Sequence, residues 1–183
     1  MRGGVNMFDP KTFHVVETLH DGRTVEIRAQ EPSDRKAILE EVDHASAETL
    51  YHRFFAVKRS FTPEELHYFF DSVDFVKHVV LLAIARGSGR PRVVGGVRLV
   101  LLVEPGKAEV AFSVADDYQH HGLGAVLMHH IKEIGSEFGV KEFVAEVLAD
   151  NAPMIAVFDH SGLITTKWRE GSTVHVTMRY PDS

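Results

Sequence analysis

The chain has 183 residues, 44% of them hydrophobic, which suits one domain with a sizeable core and is too little for two. A formal net charge of −6 argues against non-specific nucleic-acid binding, which needs clustered Lys and Arg to release counterions. There is no cysteine, so disulfides, thiolate nucleophiles and Cys–zinc sites are excluded, and no apolar run approaches the ~18 residues that span a bilayer. The default location is cytoplasmic.

Residues 1–20 are expected to be a leader before a domain over residues 21–183. Gly3, Gly4, Asn6 and Asp9 sit in its first half, without the basic-then-apolar order of a signal peptide. Residues 24–29 alternate as a first strand after the turn signal Asp21-Gly22. Pro32-Ser33-Asp34 opens a helix with Ser33 as its N-cap, and Ile38, Leu39 and Val42 repeat at helical spacing. A second helix covers 47–55. A third starts at Thr62-Pro63-Glu64-Glu65, which has the capping-box spacing and Pro at the first helical position.

The period then changes. Residues 78–86 are a dense β-branched and aliphatic run, bounded by Gly87-Ser88-Gly89, and read as a buried strand. Residues 92–103 and 107–115 complete an antiparallel meander. A helix over 122–138 ends at Gly139. A strand over 142–148, a short helix over 153–160 capped by Gly162, and a hairpin around Glu170-Gly171-Ser172 close the chain. The fold class is mixed α/β, one central sheet of about seven strands flanked by helices. Trp168 and the run Tyr68-Phe69-Phe70 are expected in the core.

The chemistry concentrates in residues 108–127, where a strand runs into Gln119-His120-His121-Gly122-Leu123-Gly124-Ala125 and the turn opens a helix. Glycines let backbone approach a ligand closely. The first helical turn leaves N–H groups unpartnered at the positive end of the dipole, which suits a pyrophosphate. A dinucleotide fingerprint needs a third glycine where Leu127 stands, and a P-loop needs Gly-Lys-Ser/Thr, which is absent. A bland alternative stays open, that Gly122 only starts a helix. Glu109 is a carboxylate on an otherwise apolar strand, facing away from Val110, Phe112 and Val114. Desolvated at the core edge, it is a candidate general base; an exposed Glu paired with a cation is the alternative. The 12 histidines include His120-His121, His129-His130 and His160 near the candidate site. No His-Glu-x-x-His motif groups them, so no metal is expected.

Gln119-x-x-Gly122-x-Gly124, after the fourth strand of this reading, resembles the Gln/Arg-x-x-Gly-x-Gly/Ala signature of GNAT acetyltransferases. Asn151-Ala152-Pro153-Met154 with Gly162-Leu163 resembles that family's second cofactor segment. Residues 46–55, 108–112 and 150–154 look like the bacterial protein-lysine acetyltransferases that act on acyl-CoA synthetases. Some of those carry a cyclic-nucleotide-binding or synthetase-like domain, for which 183 residues leave no room. The resemblance implies a GNAT fold and transfer of acetyl from acetyl-CoA to a primary amine, foremost a protein lysine, in a ternary complex. It implies that Phe112, Ser113 and Val114 hold the pantetheine arm, that residues 119–125 hold the pyrophosphate, that Asn151 bonds the arm, and that Glu109 is the base. The implied partners are acetyl-CoA and an amine acceptor such as an acyl-CoA synthetase, with no nucleic acid and no membrane; a homodimer is compatible. Where many members have a Tyr as general acid, this chain has Phe158. An acyl-CoA-binding regulator with little turnover and a small-molecule amine acetyltransferase stay open as alternatives.

Overall fold

The computed structural model describes residues 8–87 and 89–181. Its strands are β1 (His14–Thr18), β2 (Thr24–Ala29), β3 (His78–Ala85), β4 (Arg92–Leu101), β5 (Lys107–Val114), β6 (Glu142–Leu148), β7 (Ile164–Glu170) and β8 (Thr173–Arg179). Its helices are α1 (Arg35–His44), α2 (Ala47–Phe54), α3 (Pro63–Leu66), α4 (Leu123–Glu137) and α5 (Ala152–Asp159). The strands form one eight-stranded sheet in the order β1-β2-β3-β4-β5-β6-β8-β7. Every neighbouring pair is antiparallel except β5 and β6, which run parallel.

The eighth strand is β1, which lies in the stretch expected as leader. It pairs with β2 from His14↔Arg28 to Thr18↔Thr24. Its weak signal has a physical cause: as an edge strand it leaves His14, Val16 and Thr18 exposed, so little apolar alternation is needed. Residues 1–7 of that stretch lie outside the described residues.

The sheet separates two apolar layers. On one face α4 lays Leu123, Leu127, Ile131 and Ile134 against Leu81, Val97, Leu99, Val110 and Phe112. The other face is thinner, with Val80, Leu82, Ile84 and Val93 meeting Ala37 and Ile38 of α1. Helix starts follow local chemistry. Ser46 caps α2 by accepting from the Thr49 N–H at 3.1 Å. Thr62 and Glu65 close the expected capping box at the head of α3, which runs on into one π-turn, His67–Asp71. The N-cap role expected of Ser33 fails. Residues Pro32–Asp34 form a 3-10 turn, and Asp34 accepts from the Glu31 N–H at 2.7 Å and from both Arg28 Nη atoms at 2.8 and 2.7 Å. An arginine fork outcompetes the weaker hydroxyl.

The aromatic expectations also change. Trp168 is 57% exposed on edge strand β7 and stacks on His175 at 3.9 Å. Tyr68 is exposed, and Phe69 joins an edge-to-face cluster with Phe54 and Phe61 beneath the π-turn rather than the main core. Among the described residues no helix is long and apolar enough to cross a membrane.

Candidate active site

The site begins where two parallel strands part. β5 and β6 pair only at Lys107↔Glu142, Ala108↔Phe143 and Glu109↔Val144. Beyond Glu109, β5 stays bonded to β4 through Val114, and β6 stays bonded to β8 through Leu148. The facing edges of residues 110–114 and 145–148 therefore have no strand between them. Their main-chain groups are left for something else to satisfy.

Directly after β5 the chain makes a 3-10 turn, Asp116–Tyr118, then the bend at residues 119–122, then α4. His120 (φ 64°) and Gly122 (φ 89°) both take left-handed backbone. A Cβ on Gly122 would sit 2.8 Å from the His20 ring, and one on Gly124 would sit 3.0 Å from Val157 of α5. Gly122 thus serves the bend, and Gly124 serves the close approach of α4 to α5. Among the described residues, the N–H groups from His120 through Ala125 donate to no protein acceptor. They form a ready anion cradle at a helix N-terminus.

A cleft of about 540 Å³ occupies the gap between the parted strands and this cradle. Phe112, Ser113, Val114, Gln119, His120, Gly122, Leu123, Gly124, Ala125 and Asn151 all line it. His121 does not; its ring faces Asp21 at 3.3 Å, and its carbonyl accepts from the His20 N–H. Asn151 caps α5 by accepting from the Met154 N–H at 3.2 Å while lining the cleft. Phe158 is 2% exposed and packs edge-to-face on Phe112 at 5.7 Å.

Glu109 lies around the corner, on the helix-facing side of β5. It lines an adjoining pocket of about 240 Å³ with Arg53, Tyr68 and Arg98. It is exposed, so the desolvation expected at the core edge is not supplied. Pairing with β6 stops at its position, and the pocket opens over it. Burial pushes the Arg53 guanidinium below its ordinary value, against the opposing pull of Tyr68 and Glu109. Burial, then the charge of Arg53, pushes Arg98 down to about 10. Burial, then Arg98, pushes His78 down to about 4, so His78 is neutral and its Nε2 accepts from Arg98.

Sequence reasoning missed the side chains that α2 contributes. Glu48, Thr49, His52 and Arg53 all line the cleft, and the spacing of Thr49 and Arg53, four apart on one helical face, was the available signal. It also missed a tether between α2 and the bend. Asp116 accepts from the Ser46 N–H (2.8 Å), the Ser46 hydroxyl (2.6 Å) and the Thr49 hydroxyl (2.7 Å). Gln119 Nε2 donates to Thr49 Oγ1 at 2.9 Å and to the Val114 carbonyl at 3.2 Å. His129, His130 and His160, expected near the site, do not line the cleft; His20, His52 and His120 do. His129, His130 and Glu133 hold ligand atoms within 4.8 Å of one another, but His130 is buried and bonded to Glu17 at 2.6 Å.

A mixed sheet whose central parallel strands part beside a helix-opening bend defines a class. Residues 43–163 match the model of the acetyltransferase (GNAT) family, and the chain belongs to that family. It is an N-acetyltransferase by class. More particularly, it is 33% identical over 141 residues to an acetyltransferase of Pseudomonas aeruginosa, covering 77% of this chain and 75% of that one. It is 37% identical over 134 residues to acetyltransferase Pat of Mycolicibacterium smegmatis, covering 73% of this chain and 39% of Pat, so it spans well under half of that protein. Its fold superposes on the GNAT domain of S. lividans PAT with a TM-score of 0.79 at 29% identity, covering 91% of this chain and 96% of that domain.

Proposed function

We propose that this protein transfers an acetyl group from acetyl-CoA to a primary amine, foremost a protein lysine, by direct attack in a ternary complex. The observation that carries the reading is the row of unpartnered amides from His120 to Ala125 at the end of a cleft between parted strands. The pyrophosphate lies on those amides, with Gln119 and His121 shaping the bend. The pantetheine arm runs along Phe112, Ser113 and Val114 and takes the place of the missing strand, with Asn151 bonding it from the opposite wall. An amide of β5 donates to the thioester carbonyl and gains strength as that oxygen becomes an oxyanion.

The amine nitrogen attacks the carbonyl carbon, forming the C–N bond. The C–S bond then breaks, and CoA leaves as the thiolate. Before attack the ammonium gives one proton to Glu109, directly or through water, and the nitrogen gives up a second proton to water as the tetrahedral intermediate collapses. Phe158 has no proton to give, so the thiolate departs unprotonated and is neutralised by solvent. A cationic lysine meets carboxylates at Glu48, Glu146 and Asp150 on the cleft walls, which favours its approach. The choice of a protein acceptor such as an acyl-CoA synthetase rests on the segments at 46–55, 108–112 and 150–154 and on the likeness to Pat.

Incubation with acetyl-CoA and a panel of amines and synthetase proteins, read by mass and by CoA release, tests this. A +42 Da acceptor is expected. Acetyl-CoA bound without any acetylated acceptor would instead support a regulator with little turnover, the reading that buried Phe158 favours.

A further inference from the structure

Beneath α1 and α2 lies a second cavity, of about 130 Å³, that acetyl transfer does not use. Its floor is the helix-facing side of the sheet. Strand register sets Ser113 beside Gly96 and Gly96 beside Leu82; in the next row Ala111 lies beside Arg98 and Arg98 beside Val80. Its roof includes Ile38, Leu39 and Val42 of α1 and Leu50 and Phe54 of α2. Gly96 leaves the floor low where a side chain would fill it, since a Cβ there would already stand 3.3 Å from Leu82 Cδ2.

Two features suit this space to a guest. First, α1 buries none of its residues, so Ile38, Leu39 and Val42 stay half-covered above a floor that is mostly apolar, with Arg98 and Ser113 as its polar members. Protein interiors ordinarily close such gaps to the density of organic crystals. Second, the cavity shares walls with the large cleft: Thr49, Arg53, Ala111, Ser113 and Val114 line both. Ala111 and Ser113 are on the helix side of the stretch of β5 assigned to the pantetheine arm. A thioester held there has its acyl carbons at the cavity mouth.

We propose that this cavity receives the hydrocarbon tail of an acyl-CoA longer than acetyl, up to about six carbons, so that the protein is an acyltransferase for short-to-medium chains. The inference rests on the acyl-transfer reading above and names its donor class. An apolar cavity of about 150 Å³ admits a benzene-sized guest, and this one is slightly smaller. A butyryl tail fits, a hexanoyl tail fills the space, and an octanoyl tail outruns it. Each buried methylene tightens binding roughly fourfold.

The test is calorimetric binding of acetyl-, butyryl-, hexanoyl- and octanoyl-CoA to the full chain, without acceptor. Affinity is expected to rise roughly fourfold per methylene to hexanoyl and to stop rising at octanoyl. Val42→Phe, which fills the cavity from its roof, should abolish the gain for hexanoyl-CoA and leave acetyl-CoA binding unchanged. Leu39→Phe fills the same space should Val42→Phe fail to fold. Hexanoyl-CoA binding no tighter than acetyl-CoA overturns the proposal while leaving acetyl transfer standing; so does a folded filling variant that still prefers hexanoyl-CoA. Failure to bind acetyl-CoA itself overturns the transfer reading and this proposal with it.

Discussion

Replacing Gly122 by valine should separate cofactor binding from folding. Gly122 has φ 89°, and a Cβ there would lie 2.8 Å from the His20 imidazole. Holding an L-residue in left-handed backbone costs about 1–2 kcal/mol. His20 is a flexible partner and can swing away, so the steric contact adds little to that. At about 2–4 °C per kcal/mol for a chain of this length, the melting temperature should fall by roughly 2–8 °C. Binding should suffer more. A shift of the bend misaims the amides beside it, and hydrogen bonds to charged groups are worth about 1.5–3 kcal/mol each. Losing two of them weakens acetyl-CoA by about 100-fold to 10,000-fold. The displaced His20 also moves within the cleft it lines. Calorimetric titration with acetyl-CoA, run beside a thermal melt, reads both quantities on one sample. A folded variant whose Kd stays within about threefold of the parent would refute the amide cradle.

Glu109→Gln should lower the rate at neutral pH by about 100-fold to 10,000-fold with acetyl-CoA affinity intact, and an unchanged pH–rate profile would remove Glu109 from the mechanism. Asp116→Asn should loosen α2 from the bend. Burial acts to raise the Asp116 carboxyl, but hydrogen bonds from Ser46 and Thr49 outweigh it and hold the group below its ordinary 3.8. That stabilisation is present above pH 3.8 and is lost as pH falls through the depressed folded value. With the group exposed, the variant should lose about 1–2 kcal/mol at pH 7; urea melts showing the same deficit at pH 7 and below pH 3 would contradict the linkage. His78 runs in the same direction over a higher pH range. Its folded value of about 4 lies below the ordinary 6.5, so the unfolded chain takes up its proton first and stability falls from pH 6.5 toward 4. That loss is on the order of 3 kcal/mol. His78→Gln, which keeps an acceptor for Arg98, should flatten this part of the pH profile, and identical profiles for the two proteins would rule His78 out as its source.

The parts of the site that were legible in the sequence are those that one continuous segment encodes. Residues 108–127 carry an apolar alternation, a glycine that must take left-handed backbone and an amphipathic helix, and each signal is local. The capping box at Thr62 and Glu65 was legible for the same reason. What escaped is long-range or weakly patterned. Strand β1 is an exposed edge, and the exposed Trp168 gains a stacking partner, His175, from the next strand. No local pattern says that β5 and β6 stop pairing at Glu109↔Val144, because that register joins segments 35 residues apart and is set by how far α4 reaches before the chain returns.

The tether at Asp116 explains why α2 belongs to the site at all. Its carboxylate bonds the first turn of α2, while its backbone forms the 3-10 turn that leads to the Gln119 bend. Gln119 closes the loop by bonding Thr49 on α2 and the carbonyl of Val114 on β5. The helix that carries Arg53 toward Glu109 is thus fastened to the same bend whose amides have no protein partner among the described residues. A cofactor that orders the bend must restrain α2 through these bonds, and a group seated against α2 must restrain the bend in return. Acceptor and donor affinities should therefore be coupled by the same factor in both directions. Asp116→Ala, which removes all three bonds from that carboxylate to α2 and leaves only the Gln119–Thr49 bond, should reduce that factor toward one when each affinity is measured with and without the other ligand.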